Sequence, residues 1–488
     1  MQFNSLNFLL FFFIVIILYY IAPPRYRWAL LLFASYYFYM SWKPSYGILL
    51  AGITAVNYSA GLRIDKSGDS RSRNLWLITS LICSISPLFF FKYFNFFNNT
   101  LFKAVQLFNL HFPVPSLNLI LPIGISFFTL QSINYTIDVY RNKRKPERHL
   151  GIFALYVAFF PQLLAGPIGR STSLIPQLYN KSTFDTHRIA QGLQLMLWGF
   201  FKKLVIADRL TMLVDKIYNN PSQYDGPALI LATYAFAFQI YCDFSGYSDI
   251  AIGAAKILGI DLMQNFNAPY QSKSINEFWK RWHISLTSWF KDYIWMVLRW
   301  PWYYSISFVF ILSGLWHGAN WTYVIWGGLN GFYLVFAIWS VEYRKEFCRK
   351  IKLTSFPKFY RILRLVITFH LICFSWIFFR ANSLSDAFYI IRHLFSNLGG
   401  TLANMANPSL IIKSLLSQNI GLTFGELLIA LFSIIIMEIV QKIGVKKKWQ
   451  DVMGTKPIWI RWATIYAVFF AIILFGEFHA NHFIYFQF

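Results

Sequence analysis

Long apolar segments follow one another along almost the whole chain, and only short polar segments separate them. Segments of about 20 apolar residues match the thickness of a bilayer core, and shorter ones are typical of tilted, broken or re-entrant helices. On the order of a dozen such segments occur: Asn7–Ala22, Trp28–Trp42, Tyr46–Leu62, Leu75–Phe94, Leu117–Val139, Leu150–Pro167, Leu229–Cys242, Tyr303–Trp316, Thr322–Val341, Phe359–Phe379, Ile420–Val440 and Ile458–Phe475. The pattern predicts an all-α polytopic membrane protein with about 11–12 membrane segments, some of them re-entrant.

The composition also indicates a membrane protein. Of the 488 residues, 57% are hydrophobic and 13% are charged, whereas a soluble domain carries about 25% charged residues. The net charge of +24 lies in short loops, as the positive-inside rule requires, and therefore does not indicate a nucleic-acid partner. These loops are Pro23–Arg27, Arg63–Arg73, Arg141–Arg148, Glu342–Lys352 and Lys442–Lys448. They predict an N-terminus outside the cytoplasm, while the topology of residues 171–300 stays open.

No segment of the sequence is typical of a soluble domain, so we predict a single integral-membrane domain over residues 1–488. The first apolar segment has neither a cationic flank nor a cleavage site, which predicts a retained helix rather than a signal peptide. The cysteines have no metal-ligand spacing; they are Cys83, Cys242, Cys348 and Cys373. Any chemistry must therefore occur in or at the membrane, or on a separate polypeptide.

Ionisable side chains at membrane depth are costly and by default indicate function. Asp243 and Asp249 lie in the otherwise aromatic and small-residue segment Gln239–Gly253, together with Ser245. One interpretation is a clamp of hydrogen bonds between helices. The other is a polar site that binds substrate, for which Asp243 and Ser245 are the candidates.

A second polar region, Asn265–Trp295, combines tryptophans with basic residues and is typical of an amphipathic segment at the membrane interface. Ser274 and Glu277 have the spacing of a capping box, which predicts a helix start near Ile275. His283 belongs to the same region. It is either a structural histidine of the interface or a residue that faces an active site.

His317 lies in the segment Leu312–Trp321, near the end of a long apolar run. Imidazole can act as a general base near neutral pH without a large change of its pKa. Trp316 can exclude water, and the small Gly314 and Gly318 allow another helix or a substrate to approach the backbone. These features make His317 the first candidate for a catalytic base.

Several long motifs, taken in order, resemble those of the membrane-bound O-acyltransferase superfamily. More narrowly, they resemble its bacterial branch, which contains proteins of alginate O-acetylation, peptidoglycan O-acetylation and teichoic-acid D-alanylation. The resemblance covers most of the chain, with core motifs in residues 121–340 and C-terminal helices in residues 359–488. The motifs are Leu121–Arg141, Phe159–Arg170, Tyr241–Gly253, Asn265–Leu286, Ser313–Gly327 and Phe483–Phe488.

The sequence departs from the family pattern in one place. Relatives usually carry a glycine-rich basic loop between the motifs that contain the two histidines, whereas Met296–Leu312 has no glycine and only one basic residue, Arg299. We therefore expect acceptor or partner docking to differ here from that of its relatives.

The resemblance implies a multi-helix fold around a central funnel, where a cytosolic acyl donor and an extracytoplasmic acceptor meet. It assigns the essential histidine to His317 and the second active-site position to His283. The substrate-binding candidates around them are Trp316, Asn320, Trp282, Asp243 and Ser245. Within the branch, the motif Gly246–Gly253 favours acetylation over D-alanylation, which implies acetyl-CoA as the donor and no permanently bound cofactor.

The resulting hypothesis is an O-acetyltransferase of the bacterial inner (cytoplasmic) membrane that modifies a cell-envelope polysaccharide, such as peptidoglycan or an alginate-like exopolysaccharide. His317 removes the proton of an acceptor hydroxyl or accepts the acetyl group itself, and His283 or nearby backbone N–H groups stabilise the oxyanion. The resemblance also implies contact with membrane lipid and a periplasmic or surface partner of the SGNH-hydrolase type. Three alternatives stay open: D-alanyl transfer to teichoic acid, a glycan or proton-coupled transporter, and a scaffold that only docks a surface acyltransferase.

Overall fold

A computed structural model describes residues 1–109, 114–397, 399, 416–446, 455–478 and 483 of the chain. Within these residues the secondary structure is helical and no strand forms, which confirms the all-α prediction. The first helices are α1 Leu6–Ile21, α2 Arg27–Met40, α3 Tyr46–Lys66, α4 Ser70–Leu88, α5 Phe94–Gln106, α6 Ile125–Tyr140, α7 Leu150–Ala158, α8 Phe160–Leu163, α9 Ser171–Leu178, α10 Thr186–Phe200 and α11 Asp208–Tyr218. They are followed by α12 Gly226–Ile257, α13 Ile275–Trp279, α14 Ile284–Tyr293, α15 Trp302–His317, α16 Trp321–Trp339, α17 Val341–Lys350, α18 Pro357–Arg380, α19 Leu384–His393, α20 Phe424–Lys446 and α21 Ile458–Phe475.

The protein is a multi-pass membrane protein. In the described part of the chain, 7 helices are long and apolar enough to cross a membrane. They are Tyr46–Lys66, Ser70–Gln106, Gly226–Ile257, Trp321–Trp339, Pro357–Arg380, Phe424–Gly444 and Ile458–Phe475. Every apolar segment predicted from the sequence overlaps at least one helix, but several of these helices are shorter than the roughly 20 residues that span a bilayer.

The segment Leu150–Pro167 shows why a predicted span becomes shorter. Its first helix, α7, has only 9 residues, because Phe159 leaves the helical region with ψ 109° before Pro161 enters α8. Proline has no N–H to donate to the carbonyl four residues earlier, so a helix that continued from α7 through Pro161 would lose a hydrogen bond there. Most residues of both helical pieces are nevertheless buried, so the segment is a broken core element rather than one continuous span.

The helices form two compact units. The first comprises Met1–Met196 and Tyr247–Gln264, and the second comprises Leu197–Gly246 and the described residues of Asn265–Phe488. The long helix α12 contributes residues to both. The single domain and the central funnel that the sequence implied stay predictions.

In the first unit, nearly every residue of α6 is buried, and its polar side chains bind neighbouring helices. Asn57 of α3 donates to the hydroxyl of Ser84 on α4 at 2.8 Å and accepts from the hydroxyl of Thr136 on α6 at 2.7 Å. Ser171 of α9 donates to Asp138 of α6 at 2.8 Å. Buried polar groups need such partners, so these bonds fix how the helices of this unit meet.

In the second unit, a π-helical turn, Phe201–Ala207, joins α10 to α11 without a break. The ammonium of Lys203 in this turn lies 2.8 Å from Oδ1 of Asp208 and 2.7 Å from Oδ1 of Asp243 on α12. The neighbouring Lys202 donates to the hydroxyl of Ser245, also on α12, at 3.0 Å. Buried charges persist only when they are paired and hydrogen-bonded, and these ionic contacts tie α12 to the turn.

Helices α15 and α16 approach each other closely because glycines face across their contact. A Cβ atom added at Gly314 would lie 2.2 Å from the carbonyl oxygen of Tyr323, and one added at Gly327 would lie 2.3 Å from that of Phe310. A Cβ at Gly328, by contrast, would meet nothing nearer than 3.9 Å. The glycines at 314 and 327 thus set the distance between the two helices.

We expect Gly327→Ala to lower the free energy of unfolding by about 1–3 kcal/mol, as overpacking does. The added methyl group forces α16 away from α15, whose last residue is His317. Thermal unfolding of the purified protein in detergent measures the loss. The matched control is Gly328→Ala, which adds the same methyl group one position along α16; equal losses in the two variants would contradict the close contact.

Candidate active site

The region of the first histidine begins with the short helix α13. The hydroxyl of Ser274 accepts from the backbone N–H of Glu277 at 3.2 Å, and the carboxylate of Glu277 accepts from the backbone N–H of Lys273 at 2.9 Å. Together these bonds satisfy donors that an uncapped helix start would leave open. They confirm the predicted helix start at Ile275.

His283 lies directly before α14 in a left-handed backbone conformation, with φ 43° and ψ 52°. Residues other than glycine rarely adopt this conformation, although His, Asn and Asp do so more often than most. The imidazole is only 1% exposed. Strained backbone of this kind clusters at functional sites, so the conformation marks His283 independently of its chemistry.

Asn265 binds the start of α14 with both its backbone and its side chain. Its carbonyl oxygen accepts from the backbone N–H of Ile284 at 2.9 Å. Its side-chain Oδ1 accepts from the backbone N–H of Ser285 at 3.2 Å and from the Ser285 hydroxyl at 2.9 Å. The same Oδ1 lies 3.1 Å from Nδ1 of His283. Asn265 is 1% exposed, so water does not compete for these bonds.

His317 is the last residue of α15, and the extended backbone of Gly318 ends the helix there. The imidazole is 4% exposed. Two rings meet it edge-on, with centroid distances of 5.2 Å to Trp326 of α16 and 5.4 Å to Phe379 of α18. Three helices thus enclose the second histidine in an aromatic surrounding.

The two histidines line one cavity of about 40 Å³, and their ring centroids are 6.3 Å apart. A cavity needs roughly 10–15 Å³ of this kind of volume to hold one water molecule, so this cavity accommodates a group of a few heavy atoms. The residues that line it are Trp279, Trp282, His283, Leu286, Thr287, Phe290, Val309, Phe310, Ser313 and His317. Elements α13, α14 and α15 therefore converge on a small, mostly apolar space with two imidazoles in its wall.

The electrostatics of this space favour neutral groups. Burial lowers the pKa of His283 to about 3, because an apolar surrounding disfavours the charged imidazolium. His283 is therefore neutral at neutral pH. Among the described residues, those that line the cavity include no carboxylate and no lysine or arginine. Nor does the described part of the chain place three or more His, Cys, Asp or Glu side chains together to hold a metal ion.

Two of the five substrate-binding candidates lie at the cavity or beside His283, and the other three contact other parts of the structure. Trp282 lines the cavity, and the ring of Trp316 lies 6.1 Å from that of His283. Asn320 instead caps α16, where its side-chain oxygen accepts from the backbone N–H of Thr322 at 3.1 Å.

The two remaining candidates, Asp243 and Ser245, bind the lysines of the π-helical turn. This is the helix clamp that the sequence left open as one interpretation. A role of any of the five candidates in substrate binding stays a prediction.

Three polar residues near the histidines were not predicted from the sequence: Thr287, Ser313 and Asn265. Helical spacing could have indicated Thr287 and Ser313, because each lies four residues from a histidine and so faces the same side of its helix. No such signal exists for Asn265. It is 18 residues from His283 in the sequence and meets it only because the chain turns back between them.

Part of the closing motif Phe483–Phe488 lies outside the described residues. Phe483 is described and is 2% exposed; its ring lies 5.9 Å from that of Phe244. The ring of Phe244 in turn packs edge-on against His283 at 4.6 Å. Residues 484–488 and the histidines at positions 111, 479 and 482 are outside the described part of the chain.

Comparison with known proteins adds four findings. Residues 149–383 match the model of the membrane-bound O-acyltransferase family. The chain is 40% identical over 404 residues to the probable alginate O-acetylase of Pseudomonas aeruginosa. The aligned part covers 81% of this chain and 75% of that protein. It is 35% identical over 414 residues to the peptidoglycan O-acetyltransferase of Helicobacter pylori, with coverage of 78% and 76%. It is also 29% identical over 318 residues to the teichoic acid D-alanyltransferase of Bacillus subtilis, with coverage of 62% and 76%.

Proposed function

Because the chain belongs to the membrane-bound O-acyltransferase family, and is thus an O-acyltransferase, we propose that it transfers acetyl from acetyl-CoA for the O-acetylation of a cell-envelope polysaccharide. The names of two relatives, an alginate O-acetylase and a peptidoglycan O-acetyltransferase, support the acetyl group and the class of acceptor. The observation that carries the proposal is the pair of buried histidines on one small cavity. Two imidazoles are suited to move the proton that acyl transfer to a hydroxyl requires.

In the proposed step, a hydroxyl oxygen of the acceptor attacks the carbonyl carbon of the thioester while His317 takes the hydroxyl proton. The C–O bond forms, the C–S bond breaks, and His317 gives the proton to the departing CoA thiolate. His283 or backbone N–H groups near it stabilise the oxyanion of the tetrahedral intermediate. In a two-step form of the reaction, His317 accepts the acetyl group itself before the hydroxyl takes it.

The cavity favours acetyl over D-alanyl as the group transferred. An acetyl group is neutral and has three heavy atoms, whereas a D-alanyl group carries an ammonium that needs a partner when it is buried. The cavity wall, as far as the structure describes it, offers aromatic and aliphatic side chains, two hydroxyls and two imidazoles, but no carboxylate. A neutral acyl group is therefore the better match.

The acceptor polysaccharide lies outside the cytoplasm, whereas acetyl-CoA is cytosolic, so the proposal places the protein in the bacterial inner membrane. Peptidoglycan and an alginate-like exopolysaccharide both fit the names of the relatives. A partner of the SGNH-hydrolase type completes transfer to the glycan. This part of the proposal is supported by the resemblance of the sequence motifs to the bacterial branch of the family.

Membrane vesicles from producing cells retain such a partner and test the function directly. We expect them to release CoA from acetyl-CoA and to incorporate labelled acetyl into alkali-labile esters, with D-alanyl thioesters used at least about tenfold more slowly. Mass spectrometry of esters released from wild-type and deletion cells then identifies the acceptor. Vesicles that turn over no thioester would contradict the enzyme and favour a transporter.

A further inference from the structure

Hydrogen-bonding rules determine which atom Asn265 presents to His283. A backbone N–H can only donate, and the N–H of Ser285 bonds to one end of the Asn265 amide at 3.2 Å. That end must therefore be the oxygen, because the amide nitrogen is itself only a donor. The Ser285 hydroxyl at 2.9 Å donates to the same oxygen.

The protonation of the His283 ring follows from this assignment. The amide oxygen lies 3.1 Å from Nδ1 of His283, so Nδ1 must carry the hydrogen and donate it. In a neutral imidazole the other nitrogen, Nε2, then has no hydrogen and can only accept. Burial keeps the ring neutral at neutral pH, since it lowers the pKa of His283 to about 3.

A ring in this tautomer cannot donate a hydrogen bond from Nε2 to an oxyanion. Of the two oxyanion stabilisers considered above, the backbone N–H groups therefore remain. The donor that suits Nε2 is His317 after it has taken a proton, because imidazolium donates from both nitrogens. With ring centroids 6.3 Å apart, one water or hydroxyl oxygen in the cavity can join the rings through two hydrogen bonds of about 2.8 Å.

We infer that Asn265 is a positioning residue: its amide oxygen holds His283 as the neutral Nδ1–H tautomer, so that Nε2 accepts a hydrogen bond that stabilises the protonated form of His317. This role rests on the proposed function, in which His317 takes the hydroxyl proton. In this role His283 stabilises the base His317, and Asn265 in turn orients His283, as a third group orients the base in other enzymes. Because His283 itself resists protonation, the proton stays on His317 and is available to the leaving thiolate.

The tautomer can be measured without any activity assay. Protein labelled with ¹⁵N in its histidine rings is reconstituted in lipid bilayers, and solid-state NMR separates protonated from unprotonated ring nitrogens. The His283 signals are those that disappear in His283→Gln. We expect a protonated Nδ1 and an unprotonated Nε2 in the wild-type protein. The reverse pattern would overturn the inference.

Asn265→Leu removes the acceptor but leaves the backbone contacts of residue 265 in place. We expect mixed His283 tautomers and a kcat about 100-fold lower, with the KM for acetyl-CoA changed by less than about twofold. Asn265→Asp, which still accepts at the same position, is expected to restore the hydrogen on Nδ1 of His283. It also keeps the test valid if the leucine variant fails to fold.

The matched control is Asn330→Leu, which removes another buried amide of the same unit. Asn330 donates to the carbonyl of Trp326 within α16 at 2.9 Å, so its loss is expected to leave the His283 tautomer unchanged. An unchanged tautomer in Asn265→Leu, or a changed tautomer with normal kcat, would overturn the positioning role. Acetyl transfer by a His317→Ala protein at the wild-type rate would instead refute the assignment of His317 as the base, and wild-type vesicles that turn over no thioester would refute the proposed function. In either case the wild-type tautomer would still report on Asn265.

Discussion

Replacement of His317 by alanine is expected to reduce acetyl transfer from acetyl-CoA by a factor of about 10²–10⁴, the range that a positioned acid–base group supplies. The ring is buried at the end of α15 between Trp326 and Phe379 and lines the cavity that it shares with His283. Its loss removes the group that takes the hydroxyl proton and returns it to the thiolate. The measurement is transfer of labelled acetyl by membrane vesicles with equal amounts of each variant.

His370→Gln provides a matched control for the loss of a histidine. His370 lies on α18, where Nδ1 contacts the carbonyl of Val366 at 2.8 Å and Nε2 the hydroxyl of Tyr234 at 2.8 Å. It does not line the cavity, and its replacement should leave transfer close to the wild-type rate. If His317→Ala transfers acetyl as fast as His370→Gln, the assignment of the base is wrong.

Lys203→Met is expected to have the largest effect on stability, a loss of about 3–5 kcal/mol. The ammonium lies between the carboxylates of Asp208 and Asp243 and is 5% exposed. Without it, two buried carboxylates face each other in an apolar unit, and desolvation as well as repulsion oppose folding. The fraction of monodisperse protein that survives a heating series in detergent measures this loss.

The comparison for this variant is a triple replacement, Lys203→Met with Asp208→Asn and Asp243→Asn. It removes the cation and both anions together, so no buried charge of this group is left uncompensated. Replacing a whole buried ionic group is often neutral or stabilising, whereas removing one member is costly. We expect the triple variant to recover most of the lost heat resistance; a triple variant as labile as Lys203→Met would show that charge compensation is not the cause.

The sequence predicted those parts of the fold that depend on local pattern. The apolar segment Phe359–Phe379 becomes α18, Pro357–Arg380, because an unbroken apolar run of membrane length has few other structures available. Ser274 caps α13 as predicted, accepting from the backbone N–H of Glu277 at 3.2 Å. Capping depends on residues only a few positions apart, and such short-range rules can be read from one sequence.

The parts that were missed depend on contacts between distant residues. The π-helical turn with Lys202 and Lys203 was not among the predicted spans. Two adjacent lysines in a sequence are typical of a solvated loop, and only the structure shows their partners on α12. The contact of Asn265 with His283 was missed for the same reason. The two histidines were predicted as a pair, but from the resemblance to a family; their separate positions in the sequence gave no sign that they share a cavity.

The left-handed backbone at position 283 has a consequence for how this site can vary. Glycine, asparagine, aspartate and histidine tolerate such a conformation, whereas β-branched side chains are strongly disfavoured there. Three of these four residues also carry a group that accepts a hydrogen bond. The geometry of the chain therefore disfavours β-branched residues at this position, so a substitution of His283 by valine or isoleucine would damage the fold as well as the site.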